Sequence, residues 1–258
     1  MNKILFSDFD GTLFFKEGFH QEDIEAIKTF QSKGNKFALC TGRPLGGVNA
    51  LMKGKIIPDY YVLCTGSLVL DKDYQVIYAQ EIPFELVKEV CQKYENETII
   101  GPHCLDEKYL YFKYVPNDAP SYIKQFDSID EFIERDLEVI KVEAFSHDET
   151  EIQKVIPYFK DMKEIAYLSS YPDNVEITNE NAQKGLILEK VIDLLNIKKE
   201  EVIVLGDGMN DITLFERFPY SFAPNNAEKV IQEKAYKVVS SCKDGAVSEA
   251  IEYALENL

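Results

Sequence analysis

The chain has 258 residues, of which 45% are hydrophobic and 28% are charged, and its formal net charge is −17. This length allows a second domain beside the first, and the acidic surface disfavours nucleic-acid backbones and anionic membranes as partners. The apolar runs are no longer than strands, so no membrane-spanning segment is predicted. Small phosphorylated substrates remain compatible with this composition, because a bound metal and a few local cations can make the electrostatic potential inside one cleft positive.

Cysteine usage and the first residues indicate where the protein works. The five cysteines are an odd number, and no two of them lie at metal-binding spacing. Cys40 and Cys64 end apolar runs, which is typical of small buried hydrophobic residues, and this use of cysteine suits a reducing compartment. The chain reaches Asp8 before any long apolar stretch, so no signal peptide is predicted. We therefore expect a cytoplasmic protein, whose oligomeric state is unknown at this point.

Strand and helix signals alternate through the first third of the chain. Gln21–Lys33 is predicted as a helix, because apolar residues recur at helical spacing and Gly34 follows as a stop. Pro44 suits the first turn of a second helix that runs to about Met52. The predicted strands are Lys3–Ser7, Lys36–Cys40, Tyr60–Cys64 and a hairpin of Leu68–Leu70 with Val76–Tyr78.

The middle of the chain, residues 82–180, has a different pattern. Strand pairs stand beside helices there, which is typical of an α+β unit with its own small sheet. The predicted helices are Phe84–Tyr94, Ser128–Glu134 and Thr150–Phe159, and the predicted strands are Tyr109–Tyr114, Glu138–Phe145, Ile165–Ser169 and Asn174–Thr178. We interpret this stretch as an inserted domain.

The last third returns to the alternation of strand and helix. Its predicted helices are Gly185–Leu195, Ala227–Lys234, Ala246–Leu255 and a further helix that starts with Ile212–Glu216. Its predicted strands are Val202–Leu205, Tyr220–Ala223 and Val238–Val239. Such alternation predicts a mostly parallel sheet covered on both faces. We therefore expect an α/β core formed by residues 1–81 and 181–258, with 82–180 as the inserted α+β domain.

The motif Asp8-Phe9-Asp10-Gly11-Thr12-Leu13 follows the first predicted strand. Asp8 comes directly after the strand and suits a nucleophile, while Asp10 is close enough to act as acid and base on the same substrate. Gly11 lets the backbone turn, so that loop amides can face phosphate oxygens. An isolated pair of acids of this kind is more often a solvated loop.

Two further segments supply groups that can bind an anion. Thr41-Gly42-Arg43 precedes a helix start, where a hydroxyl and a free amide form an anion pocket, although an ordinary threonine cap is an equal alternative. Lys184 lies at another predicted helix start, where the helix dipole disfavours a cation. That cost indicates a separate task, such as binding a phosphate or an aspartate, and the alternative is a surface lysine.

The run Gly206-Asp207-Gly208-Met209-Asn210-Asp211 follows the predicted strand Val202–Leu205. Two carboxylates and an amide at a strand end are the hard oxygen ligands that suit Mg²⁺. A polar turn is the alternative, but a helix follows here where a hairpin would continue with a strand. Ligands of open parallel sheets bind at the carboxyl ends of the strands, so all four motifs are expected at one edge.

The order of these four motifs resembles that of the haloacid dehalogenase (HAD) superfamily. The Thr-Gly-Arg run, the Lys184-Gly185 pair, the Gly-Asp-Gly-Met-Asn-Asp run and the large insertion between the second and third motifs look like its Cof-type, or type IIB, phosphatases. The resemblance covers essentially the whole predicted core and, by size and position, the insertion. It implies a Rossmann-like core with a central first strand and an inserted α+β cap domain.

The resemblance also implies roles for individual residues. Asp8 attacks the phosphoryl group and becomes an aspartyl-phosphate, and Asp10 protonates the leaving alcohol and then activates water. Mg²⁺ is held by the Asp8 side chain, the Asp10 carbonyl and Asp207, with Asp211 behind them, orienting metal-bound water and Lys184. The groups that bind phosphoryl oxygens are Thr41, Gly42, Lys184, Asn210 and the amide of Phe9.

The expected function is Mg²⁺-dependent hydrolysis of a small phosphorylated metabolite, such as a sugar phosphate or a phosphorylated cofactor. A sugar phosphomutase on the same core and a catalytically silent metabolite-binding protein are the alternatives, and the presence of every catalytic group weighs against the second. Two segments depart from the common family pattern, Thr65-Gly66-Ser67 and Ala223-Pro224-Asn225-Asn226-Ala227. Neither departure removes a catalytic group.

Overall fold

The computed structural model describes residues 3–94, 98–104, 108–110, 123–125, 128–135, 137–146, 148–160, 162–169 and 172–258. The chain forms two compact units, of which the first comprises Met1–Gly42, Leu51–Tyr78 and Gln183–Leu258 and the second Arg43–Ala50 and Ala79–Ala182. The domain boundaries expected from the sequence, after residues 81 and 180, stay a prediction. Within the described residues, every helix is too short or too polar to cross a lipid bilayer.

The described elements alternate between strand and helix in both outer thirds of the chain. The first third contains β1 Ile4–Ser7, β2 Phe14–Phe15, β3 Gly18–Phe19, α1 Gln21–Ser32, β4 Lys36–Cys40, α2 Leu45–Met52, β5 Tyr60–Leu63, β6 Leu68–Asp71 and β7 Val76–Ala79. The middle contains α3 Phe84–Tyr94, β8 Ile99–Cys104, β9 Lys108–Leu110, β10 Ile123–Gln125, α4 Ile129–Glu134, β11 Val139–Phe145, α5 Glu149–Phe159, β12 Ile165–Leu168 and β13 Asn174–Asn179. The last third contains α6 Lys184–Leu194, β14 Val202–Leu205, α7 Ile212–Arg217, β15 Tyr220–Pro224, α8 Lys229–Lys234, β16 Lys237–Val239 and α9 Ala246–Asn257.

The larger sheet has the strand order β16-β15-β14-β1-β4-β5-β6-β7 in the described part of the chain. Neighbouring strands pair in parallel from β16 to β5, and β6 then pairs with β5 in the antiparallel direction. The predicted α/β class with a mostly parallel sheet is therefore confirmed. β1 lies between β14 and β4, so it has a strand on each side.

The inner strands of this sheet are apolar at nearly every position because helices cover them. All residues of β1 and β14 are buried, as expected for parallel strands enclosed on both faces. Ile4 and Phe6 belong to the same apolar cluster as Leu188 and Val191 of α6. Alternation along the strand turns Leu5, which is also fully buried, toward the opposite face. Each such side chain contributes about 2 kcal/mol to stability.

The second unit has a sheet of its own, with the order β10-β9-β8-β11-β13-β12 among the described strands. The pairs β8–β9, β8–β11, β11–β13 and β12–β13 are antiparallel, while β9–β10 is parallel. One apolar cluster joins these strands to helices α3 and α5, through Val87, Val90, Val142, Ala144, Ile152, Val155, Val175 and Ile177. The unit therefore has a separate hydrophobic core.

Several short strands were not predicted from the sequence. They are the hairpin β2–β3, the strand β8 and the strand β10. β8 contains Gly101-Pro102, which has the composition of a turn, although Pro102 lies opposite Val142 inside the ladder. The strand expected over Tyr109–Tyr114 is present as β9 at its start, and residues 111–114 lie outside the described residues.

Candidate active site

The carboxyl ends of β1, β4 and β14 lie side by side at one edge of the larger sheet. Ser7 at the end of β1 is opposite Leu205 of β14 and Leu39 of β4. The register continues one residue further, because the amide of Asp8 donates to the carbonyl oxygen of Leu205 at 2.8 Å. The first, second and fourth motifs therefore start at neighbouring strand ends, as the topology of an open parallel sheet predicts.

Lys184 joins the first motif to the fourth. Its Nζ donates to Oδ1 of Asp8 and to Oδ1 of Asp211, both at 2.6 Å. Lys184 and Asp211 are fully buried, and Asp8 is 5% exposed. Charged side chains are kept in a protein interior only when they are paired and hydrogen-bonded. The alternative that Lys184 is a surface lysine is therefore wrong.

The charges in this cluster shift the pKa values of its members. Burial raises the pKa of Asp8 well above its usual range, with the nearby ammonium of Lys184 opposing that shift and the carboxylates of Asp211 and Asp207 adding to it. Burial alone would lower the pKa of Lys184, but the charges of Asp211 and Asp8 outweigh it and raise that pKa. Lys184 is therefore a permanent cation that several acids share.

Asp207 is held beside this cluster by the first motif. The Thr12 hydroxyl donates to Oδ1 of Asp207 at 2.8 Å. Burial and the charge of Asp211 raise the pKa of Asp207 to about 6, against the lowering effect of the Thr12 hydrogen bond. Thr12 was not predicted as a functional residue. Its hydroxyl, next to the glycine of the first motif, was the signal that could have identified it.

Asp211 holds the fourth motif in shape. Its Oδ2 accepts hydrogen bonds from the amides of Asp207 at 3.0 Å and Gly208 at 3.2 Å, while its Oδ1 accepts from Lys184. Gly206 is required beside it, because a Cβ there would lie 2.4 Å from the carboxyl carbon of Asp211. Both carboxylate oxygens of Asp211 thus bind groups of the protein, which suits an orienting role.

Gly11 allows the two acidic loops to approach closely. Its φ is +76°, and a Cβ at this position would lie 2.3 Å from Oδ2 of Asp207. Gly11→Ala is expected to displace the Asp207 carboxylate. With Asp207 as the metal ligand that the resemblance implies, Gly11→Ala should weaken divalent-cation binding at least about tenfold. Gly54→Ala is the matched control, because Gly54 has a φ of +72° with nothing within 4 Å of the added Cβ.

The two glycine variants separate backbone strain from the loss of geometry. Each alanine pays roughly 1–2 kcal/mol for the left-handed backbone, so both variants should unfold at lower urea concentration than the parent protein. Isothermal titration with Mg²⁺ should show weakened binding in Gly11→Ala and parental affinity in Gly54→Ala. Equal Mg²⁺ affinities in the two variants would show that the position of the Asp207 carboxylate does not depend on its close approach to Gly11.

The remaining predicted residues lie in the same unit, at or next to the strand ends. Thr41 is 1% exposed, and its amide donates to the carbonyl oxygen of Val62. Gly42, Asn210 and Asp10 are half-buried. Phe9 is fully buried and its ring stacks on Phe14 of the β2–β3 hairpin, with centroids 5.2 Å apart. Their assigned contacts with a phosphoryl group stay predictions.

The donor atoms of this centre fit a divalent cation. Carboxylate oxygens of Asp8, Asp207 and Asp211 all lie within 4.8 Å of one another. With the ammonium of Lys184, these side chains carry two more negative charges than positive ones when all are ionised, and burial makes that excess costly. Carboxylate oxygens are the ligands of hard cations. The Asp10 side chain is outside this group, which agrees with the resemblance, because as a metal ligand Asp10 is assigned only its backbone carbonyl.

Comparison with known proteins places this arrangement in a family. The profile described as haloacid dehalogenase-like hydrolase matches residues 5–251. The chain belongs to this family. The HAD-like hydrolase is 26% identical to the 5-amino-6-(5-phospho-D-ribitylamino)uracil phosphatase YwtE of Bacillus subtilis over 98% of each chain. It is 28% identical to the putative phosphatase YxeH of the same organism over 97% of each chain.

Solved structures share the fold of this HAD-like hydrolase. A haloacid dehalogenase-like hydrolase from B. subtilis superposes with a TM-score of 0.86 at 19% identity, covering 97% of this chain and 99% of that one. The HAD subclass IIB sugar phosphatase BT4131 superposes with a TM-score of 0.80 at 24% identity, covering 98% and 99%. The profile match confirms the family and the hydrolase class expected from the four motifs.

Proposed function

We propose that this HAD-like hydrolase is a Mg²⁺-dependent phosphatase of small phosphorylated metabolites, acting through an aspartyl-phosphate on Asp8. The observation that carries the proposal is the cluster of the buried Asp8, Lys184 and Asp211 with the half-buried Asp207 at the carboxyl edge of the sheet. The names of YwtE and BT4131, a ribitylaminouracil phosphatase and a sugar phosphatase, support a phosphorylated metabolite as the substrate class. The acidic composition supports a substrate that is neither nucleic acid nor membrane.

Asp8 is the proposed nucleophile because its carboxylate is fixed at the strand end. Lys184 binds Oδ1 of Asp8 and favours the ionised form that can attack phosphorus. Asp10 is proposed to protonate the leaving alcohol and then to remove a proton from the water that hydrolyses the aspartyl-phosphate. Asp8, the Asp10 carbonyl and Asp207 would hold Mg²⁺, which supplies positive charge to the phosphoryl oxygens when bound.

Phosphoryl transfer depends mainly on positioning and on neutralising the equatorial oxygens. Thr41, Gly42 and Asn210 are proposed to bind those oxygens, together with Lys184 and the Phe9 amide. Lys184 then serves two purposes, because it offsets the repulsion between an anionic nucleophile and an anionic substrate as well as binding the substrate. The reducing cytoplasm is the proposed location.

The proposal is tested by measuring phosphate release from a broad panel of phosphorylated metabolites, first with Mg²⁺ and then with a chelator. We expect turnover of one chemical group of substrates, and this turnover should stop when the metal is chelated. The active substrates would then identify the leaving group that the enzyme accepts. Absence of release from every member by folded protein would contradict it. A requirement for a bisphosphate activator, with phosphoryl return to the substrate, would favour the phosphomutase alternative.

A further inference from the structure

A short segment after β15 contacts both acidic loops of the proposed site. We define the bridging segment as residues 225–228, between β15 and α8. The side-chain amide of Asn226 donates to the carbonyl oxygen of Gly11 at 2.8 Å. Its Oδ1 accepts from the amide of Cys242, also at 2.8 Å. One exposed amide side chain therefore connects the first acidic loop to the chain that precedes α9.

The same segment holds the second acidic loop through Glu228. The Glu228 amide donates to the carbonyl oxygen of Asp207 at 2.9 Å. Its Oε1 accepts from the amide of Met209 at 3.3 Å. The bridging segment itself is held to α8, because Nε2 of Gln232 donates to the carbonyl oxygens of Asn225 and Ala227 at 3.0 Å and 2.8 Å. These contacts tie two loops that are far apart in sequence to one support.

The contact at Gly11 acts at a sensitive point of the first loop. Gly11 is next to Asp10, and its own amide donates to the carbonyl oxygen of Phe14. A small rotation there would move the Asp10 carbonyl and change the narrow gap to Asp207. Ligand geometry at such sites depends on hydrogen bonds made behind the ligands, and losing one of them typically costs tenfold or more in metal affinity.

We propose that Asn226 is a positioning residue for the metal site, acting through its hydrogen bond to the Gly11 carbonyl. This inference rests on the proposed function, because it gives a role in Mg²⁺ binding to a residue that is not one of the metal ligands or substrate-binding groups assigned above. Asn226 is exposed, so its replacement leaves the hydrophobic core unchanged.

Asn226→Asp isolates the contact with Gly11. An aspartate can still accept a hydrogen bond from the Cys242 amide, but it cannot donate one to the Gly11 carbonyl. Its second carboxylate oxygen would face the Gly11 carbonyl oxygen. Asn226→Ala removes both bonds. The control is Asn225→Asp, which adds the same charge at the neighbouring exposed position. Mg²⁺ affinity is measured by isothermal titration, and backbone mobility by hydrogen exchange of the peptide that contains residues 9–14.

Both Asn226 variants are expected to bind Mg²⁺ about tenfold more weakly than Asn225→Asp. Both variants should also have a lower kcat at subsaturating Mg²⁺, with an unchanged KM for the substrate. Their backbone amides over residues 9–14 should exchange hydrogen faster, and their urea unfolding midpoints should equal that of the control. Asn226→Asp with the affinity and exchange of Asn225→Asp would overturn the inference. If the parent protein itself binds no Mg²⁺, the proposed function fails, and the exchange data alone then decide whether Asn226 positions the loop.

Discussion

Asp8→Asn is expected to lower kcat by at least about 10⁴-fold, because a carboxamide is a poor nucleophile toward phosphorus. The fold should survive the substitution. Asparagine has the shape of aspartate, and Lys184 keeps its second partner, Asp211, at 2.6 Å. Steady-state phosphate release at saturating Mg²⁺ and substrate measures this effect.

A second prediction for Asp8→Asn concerns its folding stability in the absence of Mg²⁺. Since burial, Asp211 and Asp207 raise the pKa of Asp8 despite Lys184, the folded state binds a proton more readily than the unfolded one. The contribution of the Asp8 carboxyl to stability is complete below the ordinary aspartate pKa. It is lost as the pH rises through the raised pKa of Asp8 in the folded state. Asp8→Asn should therefore be as stable as the parent protein in acid and at least as stable at neutral pH.

Asp193→Asn is the matched control for this experiment. It makes the same chemical change on the exposed side of α6 and should leave both turnover and the free energy of unfolding within about 0.5 kcal/mol of the parent values. Turnover of Asp8→Asn within tenfold of the control would sink the nucleophile assignment. A large loss of stability at neutral pH would show that the Asp8 charge is favourable in the fold.

Lys184→Met is expected to lower the free energy of unfolding by about 3–5 kcal/mol at neutral pH and to reduce kcat by at least about 10³-fold. Methionine fills nearly the same volume but leaves the carboxylates of Asp8 and Asp211 without the ammonium that they share. In mildly acidic buffer the loss of stability should be smaller, because Asp8 and Asp207, whose pKa values are already raised in the parent protein, then take up protons. Urea unfolding across pH measures the effect.

Lys234→Met provides the comparison for Lys184→Met. Lys234 pairs with Glu216 at 2.9 Å, but both side chains are well exposed, at 43% and 50%. Such a surface pair contributes less than about 1 kcal/mol. If Lys184→Met destabilises the protein no more than Lys234→Met does, the buried cluster does not depend on its cation, and the account of its electrostatics is wrong.

The strands that carry the candidate site could be predicted, because few other elements have the sequence pattern of a buried parallel strand. β1, β4 and β14 are parallel strands with buried apolar runs, Ile4–Phe6, Phe37–Cys40 and Val202–Leu205, and each run ends where a glycine or a polar residue begins. Their adjacency follows from the topology of open parallel sheets. The placement of Lys184 could also be anticipated, since a lysine at a helix start is unfavourable without a partner.

Other features could not be predicted, because their signal is absent from the local sequence. β2 and β3 have two residues each, too few for any periodicity. The hydrogen bonds of Thr12 with Asp207 and of Asn226 with Gly11 join residues about two hundred positions apart. In sequence, Thr12 is one polar residue in a turn and Asn226 is part of a departure from the family pattern, and only the folded chain brings them to the acidic loops.

The most direct test of the account is to look for the phosphoryl group on Asp8. Asp10→Asn should slow hydrolysis of the intermediate, and p-nitrophenyl phosphate avoids the need for an acid, because its leaving group departs without a proton. After incubation with Mg²⁺ and acid quench, peptide mass spectrometry should find one phosphoryl group on Asp8, and none in the Asp8→Asn, Asp10→Asn double variant. A burst of nitrophenol with no phosphoryl group on Asp8 would contradict the account.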